Sequence, residues 1–235
     1  MTDLNKPISI SDEEALAETK RFFVKVYGWM AVALIITGLV AVWVVSNPEA
    51  IGFIIGNQYI FIGLLIAELL LVMGLVGWIM KMSAQTATIV FILYSILNGL
   101  TFSVIFLVFT TDSIASTFFI TAGTFAVMSI YGYFTKTDLT SLGNILIMAL
   151  VGIIIATVIN MFYQNETLYW VTTYAGVLIF VGLIAYDTQK IKRLNVIGNQ
   201  GTDEDKKEAI IGALSLYLDF INLFLMLLRL FGRRK

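Results

Sequence analysis

Residues 208–231 read EAIIGALSLYLDFINLFLMLLRLF, an apolar run that is long enough to cross a bilayer yet contains Asp219 near its middle. On a helical wheel of about 100° per residue, its polar and small side chains fall within one arc of roughly 100°. They are Glu208, Gly212, Ser215, Asp219, Asn222, Met226 and Arg229. A helix with such a stripe should not face lipid, so we expect it at the centre of a helical bundle. Asp219 would lie roughly 15 Å deep, near the bilayer midplane.

The composition indicates a polytopic membrane protein. Of the 235 residues, 59% are hydrophobic and 13% are charged, whereas a soluble domain is about 45–50% apolar and about 25% charged. The chain has no cysteine and no histidine, so any proton or metal-ion chemistry inside the membrane must use carboxylates. The net charge of −1 gives no indication of nucleic-acid binding. No cofactor is predicted.

Six further apolar runs of membrane-crossing length precede residue 208, so we predict an all-α membrane protein of seven transmembrane helices with the seventh central. The predicted spans are 22–45, 53–80, 86–109, 114–134, 142–163, 168–186 and 210–231. This divides the chain into a cytoplasmic N-terminal segment (1–21), a seven-helix transmembrane domain (22–231) and a basic C-terminal tail (232–235). Ser11 and Glu14 have capping-box spacing and predict a short surface helix that leads into the first span.

The basic residues predict the orientation. Lys and Arg flank the start of the first span and occupy the connections between spans two and three, four and five, and six and seven, whereas the other three connections have neither. By the positive-inside rule the N-terminus is cytoplasmic. The absence of an organellar targeting signal favours a bacterial inner membrane, with an internal eukaryotic membrane as the alternative. The C-terminal Arg233, Arg234 and Lys235 conflict with this rule, because seven crossings place them outside. We favour a full crossing of span seven over a re-entrant segment, because its apolar length suffices.

Two aspartates are candidates for a functional pair. Asp187 ends the apolar part of span six, and if that helix continues to Leu194 it lies roughly one to two turns inside the membrane, where it could meet Asp219. Two carboxylates in one low-dielectric site cannot both ionise easily, so we expect one to keep its proton toward neutral pH. Such a pair would be a pH sensor, and its oxygens could bind or pass a hard cation such as Ca²⁺.

Structural interpretations of the same residues remain open. Asp187 could be an ordinary interfacial residue paired with Lys190 or Arg193, and Asp219 could have a purely structural hydrogen-bond partner. The aspartate pair and these alternatives predict different neighbours for the two carboxyl groups.

A third intramembrane acid, Glu68 in span two, has no polar neighbour on its own helix face. Its partner must therefore come from another helix, and Arg229 is a candidate. Gly52 and Gly56 have the GxxxG spacing, and we expect them and the other glycines to be close-packing sites.

Two segments of the C-terminal third are similar to the signature segments of the Bax-inhibitor family, the transmembrane Bax-inhibitor-motif proteins. They are AYDTQKIK at 185–192 and SLYLDFINLF at 215–224, and the closing LLRLFG at 227–232 also resembles that family. The motifs are long and specific, and the seven-span pattern extends the resemblance, more weakly, over nearly the whole chain.

The resemblance implies a fold in which spans one to three and four to six wrap around span seven, and a pH-sensitive Ca²⁺ leak. Asp187 and Asp219 fall on the family's pH-sensing aspartate pair. Glu68 falls on the acidic position of span two, and Arg229 on the basic position of span seven that can pair with it. The family can also carry a basic residue at the end of span two that locks onto the aspartate of span six. Lys81 is the only basic residue there, and lysine lacks the two-point grip of arginine.

Three functions compete. The leading hypothesis is a passive Ca²⁺ pathway gated by protonation of the aspartate pair, with the lipid bilayer, calcium ions and protons as its partners. The second is a non-conducting regulator that binds other membrane proteins, such as a protease or a cell-death or stress partner. The third is an intramembrane aspartyl protease, whose second motif requires Gly-x-Gly-Asp where this chain has LYLD at 216–219. We therefore favour a function that is not enzymatic.

Overall fold

The computed structural model describes residues 11–235, so residues 1–10 of the predicted N-terminal segment lie outside the described part of the chain. The described residues form eight α-helices joined by short connections. They are α1 (Asp12–Val45), α2 (Pro48–Ile54), α3 (Gln58–Trp78), α4 (Ala84–Val108), α5 (Thr111–Phe134), α6 (Thr140–Tyr163), α7 (Glu166–Leu194) and α8 (Asp203–Phe231). A 3₁₀ turn at Ile79–Lys81 follows α3.

Seven of these helices are long and apolar enough to cross a membrane, which confirms the predicted number of spans. The remaining helix, α2, lies between the first two spans, where the sequence indicated none. Asn47 caps it by accepting from the backbone N–H groups of Glu49 and Ala50. Pro48 occupies the first helical position. A backbone N–H has no partner within the helix at this position, so proline can lack it without the loss of a hydrogen bond. The second span therefore begins at Gln58 rather than at residue 53.

The first span begins earlier than predicted. The Ser11 side chain accepts from the backbone N–H of Glu14, and the Glu14 carboxylate accepts from the backbone N–H of Ser11, so both halves of the capping box are present. The helix that begins there continues without a break to Val45. The predicted surface helix and the first span are therefore one element, α1.

The central helix is α8, as predicted. In its most apolar 18-residue stretch 72% of the residues are buried, against 6% for α3 and 0% for α6. The helices α1, α3 and α4 pack together on one side of α8, and α5, α6 and α7 pack together on the other. These two groups touch each other little, so α8 provides most of the contact between them.

Some glycines lie at close helix crossings, as expected, but the predicted GxxxG motif does not, and several other glycines have no neighbour within 4 Å of an added Cβ. A Cβ on Gly99 of α4 would lie 2.8 Å from the carbonyl oxygen of Thr37 in α1, and a Cβ on Gly132 of α5 would lie 2.3 Å from that of Ala185 in α7. At Gly52 the same position has no neighbour within 4 Å. The expectation for the GxxxG motif is wrong, because Gly52 lies in the short helix α2, away from any helix crossing.

The bundle has two ends. The N-terminal end holds the starts of α1, α4, α6 and α8, and the C-terminal end holds the end of α8 together with the α4–α5 and α6–α7 connections. At the N-terminal end, Asp203 accepts from the backbone N–H of Ala84. At the C-terminal end, the backbone N–H of Thr110 donates to the carbonyl of Arg233 at 3.0 Å. The helix α8 thus traverses the whole bundle and is not re-entrant.

Candidate functional site

The polar stripe of α8 faces α7. The side chain of Met226 lies against Gly176, and the guanidinium carbon of Arg229 lies 5.6 Å from the ring centroid of Tyr169. Both partners belong to α7, which runs antiparallel to α8. The helix α7 therefore covers part of the stripe, whereas Glu208, Ser215, Asn222 and Arg229 stay half-buried.

The two aspartates meet at this interface. Asp187 of α7 and Asp219 of α8 place their carboxyl groups within hydrogen-bonding reach of each other. Asp219 is only 5% exposed, and its Oδ2 atom is buried with no hydrogen-bond partner among the described residues. Asp187 is half-buried and lies roughly two turns inside the end of α7 at Leu194.

One cationic side chain lies beside this pair without neutralising it. Lys190 lies near both carboxyl groups, but its Nζ lies over the ring of Tyr186, 6.0 Å from the centroid. Within residues 11–235, neither Lys190 nor Arg193 forms an ion pair with Asp187 within 4 Å, and Arg193 pairs instead with Asp138 at 2.8 Å. The ordinary interfacial ion pair that was the alternative for Asp187 is therefore absent among the described residues.

Two further residues of the stripe flank Asp219, about one turn away on either side. Ser215 and Asn222 are both half-buried. The Nδ2 of Asn222 donates to the carbonyl of Leu218 in its own helix at 2.8 Å, which leaves its Oδ1 free of that bond. These residues provide neutral oxygen atoms on the helix face that carries the buried carboxyl group.

The candidate pairing of Glu68 with Arg229 is not formed. Thr101 of α4 donates to Oε1 of Glu68 at 2.9 Å, within the group of α1, α3 and α4. Arg229 lies against α7, in the other group. Lys81, the possible lock, is exposed in the 3₁₀ turn and forms no ion pair with Asp187 in the described part of the chain.

A second buried polar cluster, which the sequence analysis missed, joins α1, α4 and α8. The hydroxyl groups of Thr37 and Tyr217 lie 2.8 Å apart, and Thr37 donates to the carbonyl of Ser95 at 2.9 Å. Tyr217 stands two residues before Asp219 and therefore points to nearly the opposite side of α8. The signal in the sequence was a tyrosine in the middle of a span, since a buried tyrosine hydroxyl usually has a partner.

The aspartate pair has no third acidic side chain beside it in the described part of the chain. Within residues 11–235 no three acidic side chains are close enough together to hold a metal ion. A stable Ca²⁺ site uses about six to eight oxygen ligands, several of them from carboxylates.

The fold and the site define a class, the multi-pass membrane proteins in which two helix groups enclose a central helix that carries a buried acid. Residues 19–235 match the sequence pattern of the family described as inhibitor of apoptosis-promoting Bax1, and the chain belongs to this Bax-inhibitor family. It is similar to the inner membrane protein YbhL of Escherichia coli K12, with 49% identity over 97% of this chain and 98% of YbhL. It is also similar to proteins of Borreliella burgdorferi (44% identity, 95% and 96% covered) and Rickettsia prowazekii (39% identity, both chains fully covered).

Proposed function

We propose that this protein is a pH-sensitive calcium leak, a passive pathway whose opening depends on the protonation of the Asp187–Asp219 pair. The observation that carries the proposal is the close approach of two carboxyl groups inside a transmembrane bundle, one of them almost completely buried. Ionisable side chains at such depth are costly, and in membrane proteins they mark ion or proton pathways.

The contact between the two carboxyl groups requires a proton. Two negative charges about 4 Å apart repel each other by about 4 kcal/mol at an effective dielectric constant of about 20. The arrangement is therefore stable when one carboxyl group is protonated and donates a hydrogen bond to the other. That hydrogen bond joins α7 to α8, and loss of the proton favours their separation. We infer that the leak opens as the pH rises.

The same loss of a proton makes the site attractive to a cation. The Oδ2 atom of Asp219, which has no hydrogen-bond partner among the described residues, becomes a charged oxygen ligand. Ser215 and Asn222 add neutral oxygen atoms, and oxygen is the donor that Ca²⁺ prefers. Because no third acidic residue joins the pair, binding would be weak, and conduction requires an ion that can leave as well as enter. In this proposal Ca²⁺ is the transported ion.

We further propose that the protein resides in a bacterial inner membrane with its N-terminus in the cytoplasm. Within the described residues, every Lys and Arg before Arg229 lies at the N-terminal end of the bundle, as the positive-inside rule requires of the cytoplasmic side. The similar E. coli protein is named an inner membrane protein. In this orientation Asp187 lies closer to the cytoplasmic surface, so the pair would respond to cytoplasmic pH.

The test is Ca²⁺ entry into dye-loaded proteoliposomes between about pH 5 and 8, a range that brackets a carboxyl group held protonated by burial. Wild type is compared with Asp187→Asn and Asp219→Asn, because asparagine keeps the shape and can donate a hydrogen bond but cannot ionise. We expect the wild-type flux to rise with pH and the flux of both variants to stay low at every pH. Asp112→Asn is the matched control, since Asp112 is exposed at the C-terminal end.

Three results would contradict parts of this proposal. An unchanged pH profile in both asparagine variants would exclude the pair as the sensor. A flux that rises as the pH falls would exclude a shared proton that closes the pathway. Absence of flux from correctly folded protein at every pH would favour the non-conducting regulator, for which a stoichiometric membrane-protein partner should then co-purify.

A further inference from the structure

A polar cavity lies at the C-terminal end of the bundle, remote from the aspartate pair. Its volume is about 590 Å³, and it is enclosed by the ends of α6 and α8, the start of α7 and the C-terminal tail. Its lining combines amide side chains, aromatic rings and two guanidinium groups. The principal lining residues are Asn160, Gln164, Tyr169, Trp170, Arg229 and Arg234.

Arg229 points to an anionic ligand, because it is half-buried yet has no acidic partner. Its guanidinium carbon lies 5.6 Å from the ring centroid of Tyr169, and among the described residues its side chain donates only to the sulfur of Met226, at 4.0 Å. No carboxylate lies within 4 Å of it in the described part of the chain. Arginines that are partly removed from water are normally paired with an anion, and here the cavity provides the space for one.

The C-terminal tail brings a second arginine to the same cavity. The backbone N–H of Arg233 donates to Oγ of Ser113 at 2.7 Å, and the backbone N–H of Lys235 donates to the carbonyl of Val108 at 2.9 Å. These bonds hold the tail against the α4–α5 connection and place Arg234 in the cavity lining. Arg229 and Arg234 therefore line the same cavity from two separately fixed segments, the end of α8 and the tail.

One acidic residue also borders the cavity. Glu166, in the first turn of α7, is exposed and makes no ion pair among the described residues. The titratable lining thus carries two positive charges and one negative charge, apart from the weakly acidic Tyr169. Removal of a positive charge from this lining should therefore weaken the binding of an anion, whereas removal of the negative charge should strengthen it.

We propose that this cavity binds a phosphate-bearing anion, held by Arg229 and Arg234. Planar guanidinium groups bind phosphate through paired N–H···O hydrogen bonds, and the neighbouring amides add further donors. Tyr169 and Trp170 stand where α7 begins, and aromatic side chains concentrate at the headgroup level of a membrane. The phosphate could belong to a lipid headgroup or to a soluble phosphate compound. The proposal does not depend on the proposed cation pathway. It also accounts for the basic residues at the C-terminal end of the bundle, which the positive-inside rule does not explain.

The experiment measures the unfolding temperature of the purified full-length protein in a non-ionic detergent. Three additives are compared at constant ionic strength: phosphatidylglycerol, a phosphate-free monoacylglycerol and inorganic phosphate. We expect a rise of a few degrees with a phosphate-bearing additive, because a ligand that binds only the folded state stabilises it. A rise with phosphatidylglycerol alone identifies a lipid headgroup as the ligand, whereas a rise with inorganic phosphate as well identifies a site open to soluble phosphate.

Four variants test which residues form the site. Arg234→Gln, in the exposed tail, and Arg229→Gln should each weaken the apparent affinity roughly tenfold. Glu166→Gln should strengthen it a few-fold, because a repelling charge is removed. Lys206→Gln, the same loss of a positive charge on an exposed residue at the N-terminal end, should leave it unchanged. The proposal is overturned if no phosphate-bearing additive raises the unfolding temperature more than the monoacylglycerol does, or if Arg234→Gln and Lys206→Gln behave alike.

Discussion

Lys25 of α1 donates through its Nζ to Oδ2 of Asp205, a nearly buried carboxylate in the first turn of α8. The backbone N–H of Gly201 donates to the same oxygen at 2.8 Å. Asp205 therefore joins the connection that precedes α8 to the first span. We predict that Asp205→Ala lowers the free energy of unfolding by about 2 kcal/mol, since hydrogen bonds to charged groups contribute about 1.5–3 kcal/mol.

Denaturant unfolding in detergent micelles checks this value. Glu204→Ala is the matched control, because Glu204 is the exposed neighbour of Asp205 and forms only a long contact of 3.9 Å with Lys207. Its effect should stay within about 0.5 kcal/mol. Equal losses in the two variants would show that the contact between Asp205 and Lys25 contributes nothing.

Asp138, in the α5–α6 connection, forms a second contact between loops and helix ends. The Thr140 hydroxyl and backbone N–H and the guanidinium of Arg193 all donate to its carboxylate, and these bonds hold the pKa of Asp138 below its usual value. The pKa of an aspartate in the unfolded chain is about 3.9. A carboxyl group whose pKa is lower in the folded protein stabilises the fold at pH values above about 3.9, and this stabilisation is lost as the pH falls from there toward the pKa of the folded state.

We therefore predict that Asp138→Asn unfolds at a lower temperature than wild type at pH 7, and that the difference shrinks as the pH falls below about 4. The effect should be small, because Asp138 is exposed. Thermal unfolding of both proteins at several pH values measures it. A difference that stays constant down to about pH 2 would contradict a role for the charge.

The bond between Thr37 and Tyr217 predicts unequal effects of removing its two partners. In Tyr217→Phe, Thr37 still donates to the carbonyl of Ser95, so the loss should be about 1 kcal/mol. In Thr37→Val, the buried Tyr217 hydroxyl loses its partner, so the loss should be larger, up to about 3 kcal/mol. Denaturant unfolding of the two variants gives the order directly, and a reversed order would exclude the hydrogen bond between these residues.

The surroundings of two glycines in α5 predict opposite effects of a substitution by alanine on the stability of the fold. In Gly132→Ala the new methyl group would lie 2.3 Å from the backbone oxygen of Ala185, so α5 and α7 must move apart, at a cost of about 1–3 kcal/mol. In Gly123→Ala the methyl group has no neighbour within 4 Å, and the better helix propensity should stabilise the fold by up to about 1 kcal/mol. Destabilisation of equal size at both positions would contradict the close α5–α7 crossing.

The features that could be predicted from the sequence depend on one helix at a time. Segment length gives the seven spans, and the stripe that includes Asp219 gives the central position of α8. The Ser11–Glu14 spacing gives the capping box. Each is a property of one helix, namely its length, its periodicity or its first turn, and needs no knowledge of the neighbouring helices.

The features that could not be predicted depend on how helices are rotated against each other. Glu68 needed a partner from another helix, and both Arg229 and Thr101 were polar residues of other spans that could have contacted it. Charge complementarity favoured Arg229, but the helix packing brings Thr101 to Glu68. The contact of the C-terminal tail with the α4–α5 connection could not be predicted either. Residues 232–235 follow the last helix, and the tail is held mainly through its own backbone groups, which bind Thr110, Ser113 and Val108 and carry no sequence signal.

A cross-link between α7 and α8 tests whether the pathway opens by separation of these helices. A Cβ at Gly176 would lie 3.1 Å from Cγ of Met226, a position that a cysteine sulfur would occupy, so Gly176→Cys with Met226→Cys should form a disulfide. The chain has no cysteine of its own, so no competing bond can form. We predict that the oxidised protein loses the Ca²⁺ flux seen in wild type at about pH 8, the upper end of the range for a buried carboxyl group, and that reduction restores it.

The matched control is the pair Leu146→Cys with Gly182→Cys, which joins α6 to α7. A Cβ at Gly182 would lie 3.6 Å from Cγ of Leu146, so this cross-link is also feasible, but it lies within one helix group and should leave the flux unchanged. Mass spectrometry verifies both disulfides before the flux is measured. Full flux through a protein with a complete α7–α8 cross-link would exclude separation of these helices as the opening step, whereas equal inhibition by both cross-links would show that opening also requires movement within the α5–α7 group.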